Sequence, residues 1–181
     1  MPLLNFGQPA GAIVQLGYVV EDLYEAVDNY SSLLNVGPWS VFEHMALDNG
    51  VYRGQPTSLD LSIAMAHAGH IQIELIQQND DSPSVYTEVA EDRRYGFHHW
   101  GVGTTDFDGD LERLKDKGFE VALIAVVEDF NARGAYLDTK GEMPGMIELI
   151  EMVPAVEGMF TDTYKSNLGW DGTEPVRLMS R

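Results

Sequence analysis

The tetrapeptide Ile-Glu-Leu-Ile occurs twice in the chain, at residues 73–76 and at residues 147–150. Each copy places one acid, Glu74 or Glu148, among large aliphatic residues. A carboxylate in an apolar strand is costly unless it is paired or binds a metal ion. Because the arrangement is repeated, we predict that the two acids share one metal ion. The alternative is that both are acids of edge strands that face the solvent.

An internal repeat relates two further polar residues. The segment that starts at Gln15 aligns with the segment that starts at His99 at a constant offset of 84 residues, and the two tetrapeptides are offset by 74. If the two copies pack as a pseudo-symmetric pair, Gln15, His99 and the two acids converge. An amide oxygen, an imidazole and two carboxylates suit a divalent first-row metal with positions left open. The alternative for Gln15 is a polar residue of the core.

His99 is preceded by a second histidine, His98. Successive side chains on a strand point to opposite faces, so only one of the two can face the site. The repeat offset selects His99. We therefore interpret His98 as a structural residue or a residue that lines a pocket.

The elements that must position these residues form the same series twice. The first copy has a strand over 12–20, a helix capped by Asp22, and strands over 39–47, 59–67 and 70–77. The second copy has a strand over 98–104, a helix capped by Asp106, and strands over 119–127, 132–138 and 146–152. Alternating apolar residues indicate the strands, and the apolar spacing after each aspartate indicates the helices. We predict two βαβββ modules, at 12–78 and 97–153, with a linker at 79–96 and a C-terminal extension at 154–181.

The extension lies outside the repeat. Four apolar residues follow helical spacing in it: Met159, Phe160, Tyr164 and Leu168. This spacing predicts a short amphipathic helix that packs on one module or on a partner subunit.

Elsewhere, His67 and His70 flank the expected hairpin turn at residues 68–69, and we expect both to be exposed.

Composition limits the classes of partner. The net charge is −18, from 29 acidic and 11 basic residues. Such a field repels nucleic acids and anionic membranes, so we expect a small-molecule substrate and neither of those partners. There is no cysteine, which excludes disulfides, thiolate catalysis and cysteine-ligated zinc. No apolar run reaches the roughly 20 residues of a membrane span, and the first residues lack a secretory pattern. We therefore expect a cytoplasmic protein.

Four stretches together resemble the vicinal oxygen chelate superfamily, which includes glyoxalase I, methylmalonyl-CoA epimerase, extradiol dioxygenases and bleomycin-resistance proteins. They are QLGYVVEDLYEAVDNYSSLLNVGPW, IQIELIQ, FHHWGVGTTDFDGDLERLKDKGFEV and GMIELIE. The resemblance implies an α+β fold, in which the two modules form a U-shaped mixed sheet around a metal site. Its ligands would be Gln15, Glu74, His99 and Glu148, and the ion would be Zn, Ni, Co, Mn or Fe. We also expect a homodimer.

The commoner residue at the first ligand position of such proteins is histidine, so Gln15 is a departure. However, a Gln/Glu/His/Glu set resembles that of eukaryotic-type glyoxalase I. A site with one histidine differs from the two-histidine, one-carboxylate iron triad of extradiol dioxygenases. The resemblance therefore favours redox-neutral chemistry over dioxygen activation.

The activity implied is that of an isomerase, epimerase or lyase that acts through a metal-stabilised enediolate on a small carbonyl or carboxylate compound. Glu148 is the first candidate for the catalytic base. Glu43, on the strand after the first helix, is the second candidate, because epimerases of this type use an acid from that region. The alternatives are a metal-free small-molecule binder of the bleomycin-resistance kind and, third, an extradiol-type dioxygenase.

Overall fold

Two copies of a strand, a helix and three strands follow one another in the computed structural model, which describes residues 2–90 and 95–179. In chain order the elements are β1 (Ile13–Val19), α1 (Leu23–Leu34), β2 (Trp39–Tyr52), β3 (Gln55–Ala68), β4 (Ile71–Gln78), α2 (Val85–Ala90), β5 (Gly96–Thr104), α3 (Phe107–Asp116), β6 (Glu120–Val127), β7 (Ala132–Asp138), β8 (Met146–Glu151), α4 (Pro154–Asn167) and β9 (Val176–Leu178). The α+β class and the two βαβββ modules are confirmed.

The first helix of each module begins in the same way. The carboxylate of Asp22 accepts a hydrogen bond from the backbone N–H of Glu25, at 2.9 Å. The carboxylate of Asp106 accepts one from Gly109, at 3.2 Å. Each cap satisfies a backbone donor that the first turn of the helix leaves free. Both predicted caps are confirmed.

A single sheet joins the modules in the strand order β3-β4-β1-β5-β8-β7-β6-β2-β9. β2 also pairs with β3, so the mixed sheet curls into a barrel-like structure. β1 and β5 are antiparallel neighbours at the centre, and each has the last strand of its own module on its other side, in parallel. As a result, the four strands that carry the predicted ligands are adjacent: β4, β1, β5 and β8.

The hairpin of β2 and β3 is longer than predicted. The sequence predicts strands over 39–47 and 59–67, whereas the observed strands extend to a turn at Arg53 and Gly54, which have φ angles of 43° and 80°. Both residues adopt the left-handed conformation of a tight hairpin turn. The outer half of this hairpin is polar and largely exposed, so the sequence gives no apolar alternation there.

In the expected linker the structure forms α2, with Val85 and Tyr86 buried, and residues 91–94 lie outside the described residues.

The extension forms α4, whose Val156 and Phe160 are buried against Phe6 and Met152. Leu168 lies just beyond the helix and is 60% exposed, so it is not part of the apolar face. Within the described residues, no helix is long and apolar enough to span a membrane.

The expectation that His67 is exposed is wrong. His67 is fully buried, because α4 lies over the end of β3 and places Phe160 and Tyr164 against its ring. His70 is exposed, as expected, and its ring stacks on that of Tyr164.

Candidate metal centre

The predicted ligands lie in two rows that cross the central strands. In the first row, Gly17 on β1 is in register with Glu74 on β4 and with His99 on β5. The second row is related to the first by the repeat and consists of Gln15, Gly101 and Glu148. Each row thus holds two candidate ligands, with a glycine between them.

The two glycines make room for the ligands. A Cβ atom on Gly17 would overlap the imidazole of His99. A Cβ atom on Gly101 would lie 2.8 Å from the Cβ of Gln15, which is closer than real Cβ contacts come. Both positions therefore require glycine for the adjacent side chain to lie flat across the strand.

Three oxygen-bearing side chains surround the Nε2 atom of His99. It lies 3.1 Å from an oxygen of Glu148, 3.5 Å from an oxygen of Glu74 and 3.2 Å from Oε1 of Gln15. Ligand atoms of Glu74, His99 and Glu148 all lie within 4.8 Å of one another. Gln15, Glu74 and His99 are buried, and the side chain of Glu148 is 14% exposed. The structure thus brings all four residues together, and their role as metal ligands stays a prediction.

His98 fixes which nitrogen of His99 faces these oxygens. Nε2 of His98 lies 3.1 Å from the carbonyl oxygen of Val85, to which it donates. Burial lowers the pKa of His98 to about 3, with a further contribution from His99, so its ring is neutral. Its Nδ1 is therefore an acceptor and receives the Nδ1–H of His99, at 3.0 Å. Ligating histidines commonly donate their second N–H in this way. His98 is buried, in agreement with its predicted structural role.

The charges of the site suit a cation. Burial alone would lower the pKa of His99, but the carboxylates of Glu148 and Glu74 outweigh it, and the pKa is raised. Burial raises the pKa of Glu74 to about 8, because it outweighs the opposing effect of His99, and Glu148 adds a smaller rise. The metal-free site therefore retains protons at neutral pH. A divalent cation would replace them and neutralise both acids. One imidazole, one amide oxygen and two carboxylates fit such an ion.

Two cavities, each of about 120 Å³, adjoin the two acids. Glu74, Glu148, Met45 and Ile63 line both of them. Apart from the acids, the shared wall is mostly apolar. A small molecule in either cavity would therefore meet the carboxylates beside apolar side chains, where electrostatic interactions are stronger than in bulk water.

Tyr86 and Tyr136 line one of these two cavities, the first cavity, and neither is among the residues predicted from the sequence. Their hydroxyl groups are hydrogen-bonded at 3.0 Å, and the ring of Tyr136 packs edge-on against that of His99. Burial, assisted by Glu148, raises the pKa of each well above its usual value, so both stay protonated. One hydroxyl hydrogen lies in the bond between them, which leaves the other to be donated to a substrate oxygen. Tyr86 lies in the expected linker, where no pattern indicated a buried residue. An aromatic residue on a strand, such as Tyr136, is usually a core residue.

The structure does not bring Glu43 to this group. The pairing of β2 with β3 is irregular between Phe42 and Met45, and the side chain of Glu43 accepts a hydrogen bond from the hydroxyl of Tyr24 on α1, at 2.7 Å. Glu43 is exposed, whereas Met45, beyond the irregularity, lines both cavities. A bulge changes which residues of a strand face each side of the sheet. The position of Glu43 therefore gives no support to a catalytic role.

Comparison with known proteins identifies the family. The family model of the Glyoxalase/Bleomycin resistance protein/Dioxygenase superfamily matches residues 14–137, and the chain belongs to this superfamily. The match includes Gln15, Glu74 and His99 and ends before Glu148. A search of curated proteins finds no match.

Several solved structures share the fold. A hypothetical protein from Bacillus halodurans has a TM-score of 0.59 at 16% identity, over 78% of this chain and 94% of that one. Methylmalonyl-CoA epimerase from Mycobacterium tuberculosis has a TM-score of 0.57 at 22% identity, over 84% of this chain and 98% of that one. The Streptomyces coelicolor enzyme of the same name, in complex with 2-nitronate-propionyl-CoA, has a TM-score of 0.54 at 18% identity, over 81% and 98%. At these identities, the similarity shows the fold.

Proposed function

We propose that this protein is a metal-dependent enzyme that transfers a proton on a carbon next to a carbonyl group, as an isomerase, epimerase or lyase. One observation carries the proposal: Gln15, Glu74 and Glu148 converge on Nε2 of His99, beside an apolar cavity. Epimerisation, the activity in the names of two of the similar structures, is one reaction of this class.

The four side chains would hold one divalent ion, which would supply Lewis-acid polarisation of a substrate carbonyl oxygen. The set contains a single histidine, which supports redox-neutral chemistry over the two-histidine iron triad of oxygen-activating enzymes. The buried acids also support a metal over a metal-free binding role, because a binder of small apolar molecules gains nothing from two desolvated carboxylates.

Glu148 is the proposed base. Its carboxylate lines both cavities and is partly accessible, so it can approach the carbon of a bound substrate. A base must lie within hydrogen-bond reach of the proton it removes. Glu74 is more deeply buried, and its raised pKa of about 8 keeps it protonated at neutral pH, so it cannot accept a proton before a metal binds.

The substrate that fits is a small carbonyl or carboxylate compound with an apolar reacting end. The shared wall of the cavities provides Met45 and Ile63 for such a group and the carboxylates for the reacting carbon. An acyl thioester, the kind of ligand named for the similar Streptomyces structure, is a member of this class. Cytoplasmic location and a homodimer stay predictions.

Calorimetric titration of chelator-treated protein with Zn²⁺, Co²⁺, Ni²⁺ and Mn²⁺ tests the metal. We expect one equivalent to bind to the wild type and binding to be lost in His99→Ala. Glu43→Gln is the matched control, since this acid lies outside the group, and its binding should equal that of the wild type. Binding below about a tenth of an equivalent would favour the metal-free binder.

A screen for exchange of substrate C–H protons with deuterated solvent tests the chemistry, with 2-oxo acids, 2-methyl acids and their thioesters as candidates. We expect a positive compound with the wild type and a rate about 10²–10⁴-fold lower with Glu148→Gln, the range usual for loss of a general base. A positive compound whose rate is unchanged in this variant would exclude Glu148 as the base.

A further inference from the structure

A row of buried polar side chains leads from the metal centre to α4. Nε2 of Gln15 donates to Oε1 of Gln72 at 2.8 Å, and Nε2 of Gln72 donates to Oγ1 of Thr163 at 3.1 Å. Gln72 is the neighbour of Gln15 in the parallel pairing of β1 with β4. All three side chains are buried, so they must satisfy one another rather than water.

Thr163 determines the direction of this row. Its oxygen lies 3.1 Å from the carbonyl oxygen of Met159, 3.0 Å from that of Phe160 and 3.1 Å from Nδ1 of His67. A threonine hydroxyl has one hydrogen, and a carbonyl can only accept. That hydrogen goes to one of the two carbonyls, because a hydroxyl that gave it to Gln72 or to His67 would face both carbonyl oxygens at 3.0–3.1 Å with no hydrogen between them. In each case the oxygen faces Gln72 as an acceptor, and Gln72 must present its NH₂ group to it.

The orientation of one amide sets that of the next. With its NH₂ group on Thr163, Gln72 presents its oxygen to Gln15, which must then present its own NH₂ group to Gln72. The oxygen of Gln15 is left facing His99 and the metal centre, at 3.2 Å from Nε2. If the amide of Gln15 were turned the other way, its NH₂ group would face the metal ion. An amide NH₂ group is a donor only and cannot coordinate a cation.

We infer that Thr163 on α4 is a positioning residue, which acts through Gln72 to hold the oxygen of Gln15 toward the metal ion. The inference rests on the proposed function. It assigns a role to the extension, which the repeat does not explain. The equivalent arrangement is absent on the other side of the site, where Met146 is the neighbour of His99 and His98 orients the ring instead.

His67 ends the row without adding charge. Burial lowers the pKa of His67 to about 4, with a smaller contribution from His70, so the ring is neutral. Its Nε2 is buried and has no hydrogen-bond partner among the described residues. Because every group in the row is neutral, the row orients the side-chain amides and adds no charge to the metal centre.

Zn²⁺ affinity, measured by competition with a chelator, tests the role of the hydroxyl. We expect Thr163→Val to weaken Zn²⁺ binding about tenfold, the lower end of the usual effect of groups that orient metal ligands. Thr163→Ser keeps the hydroxyl and should stay within about twofold of the wild type. Thr161→Val is the matched control, because the hydroxyl of this buried threonine of the same helix bonds, among the described residues, to the carbonyl of Glu157 alone. Equal affinities for Thr163→Val and Thr161→Val would overturn the inference.

A double-mutant cycle separates orientation from general loosening. In the Gln15→Ala background the oriented ligand is gone, so Thr163→Val should cause no further loss of Zn²⁺ affinity. An undiminished loss in that background would show that the threonine acts on the site by another route and would overturn the inference.

The side-chain amide signals of Gln15 and Gln72 provide a test without metal. In NMR spectra of the metal-free protein, we expect protected NH₂ signals for both residues, which Thr163→Val exposes to exchange and Thr161→Val does not. Unprotected signals in the wild type would overturn the inference, whatever the metal affinity. Absence of Zn²⁺ binding together with protected signals would instead overturn the proposed function and leave the orientation of the two amides established.

Discussion

At the scale of single residues, the site depends as much on two glycines as on the ligands. Gly17 and Gly101 occupy equivalent positions in the repeat, and each faces a ligand on the adjoining strand. The sequence could predict the candidate ligands, because the repeat pairs Gln15 with His99 at an offset of 84 residues and Glu74 with Glu148 at an offset of 74. It could not predict why Gly17 recurs as Gly101, since the reason is a contact across strands that appears only once β1 and β5 are paired.

Replacing Gly17 with alanine should displace the imidazole of His99. The added methyl group overlaps the ring, so we expect Zn²⁺ affinity to fall at least about tenfold, with a loss of about 1–3 kcal/mol in stability from overpacking. Calorimetric titration and urea denaturation measure the two effects. Gly158→Ala is the control, because a Cβ there meets nothing within 4 Å on helix α4. It should retain affinity and gain about 0.5–1 kcal/mol. Unchanged affinity in Gly17→Ala would argue against His99 as a ligand.

The stability of the metal-free protein should fall as the pH rises. The pKa of Glu74 is raised from 4.5 to about 8 in the folded state, mainly by burial. Its contribution to stability is therefore complete below about pH 4.5 and is lost as the pH rises toward 8. The raised pKa of His99 acts in the same direction.

Melting temperatures measure this effect. Between about pH 5 and pH 8, we expect the melting temperature of metal-free wild type to decline more steeply than that of Glu74→Gln, which has no proton to lose. Parallel curves would mean that Glu74 does not retain its proton in the folded protein. Added metal should displace the protons, so Zn²⁺ affinity should rise with pH over the same range.

At the scale of elements, the helices and strands with regular apolar patterns could be predicted from the sequence. The contacts between residues far apart in the chain could not. Both helix caps and the buried central strands follow from local sequence, because caps and alternation act over a few residues. The outer part of the β2–β3 hairpin lacks a buried face, so its strands gave no signal. Gln72 and Thr163 could not be paired from the sequence, because they are 91 residues apart and lie outside the symmetry of the repeat.

Helix α4 is held by its buried aromatic residue. Phe160 packs on Phe6 and lines the cavity that Gln15 also lines. We therefore expect Phe160→Ala to cost about 3–5 kcal/mol in the free energy of unfolding. Leu168→Ala is the control. This residue follows the helix and is 60% exposed, so its loss should change stability by less than about 0.5 kcal/mol. Urea denaturation measures both, and a large effect of Leu168→Ala would contradict the observed end of the helix.

At the scale of the whole molecule, the site exists because the chain repeats itself. Gln15 and Glu74 come from the first module, and His99 and Glu148 come from the second. Each module therefore supplies two of the four candidate ligands, and neither module supplies all four. The pairing of β1 with β5 joins the halves at this point. The repeat could predict this convergence from the sequence. The extension could not be interpreted in the same way, because it lies outside the repeat and its hydrogen bonds toward the site run through Gln72 on the last strand of the first module.

Anomalous diffraction from crystals of the cobalt-loaded protein tests the central claim most directly. We expect a single strong peak between the modules, about 2.0–2.2 Å from Nε2 of His99 and from an oxygen each of Gln15, Glu74 and Glu148. A peak on other residues, or none at full cobalt loading, would contradict the assignment of these four side chains to one shared ion.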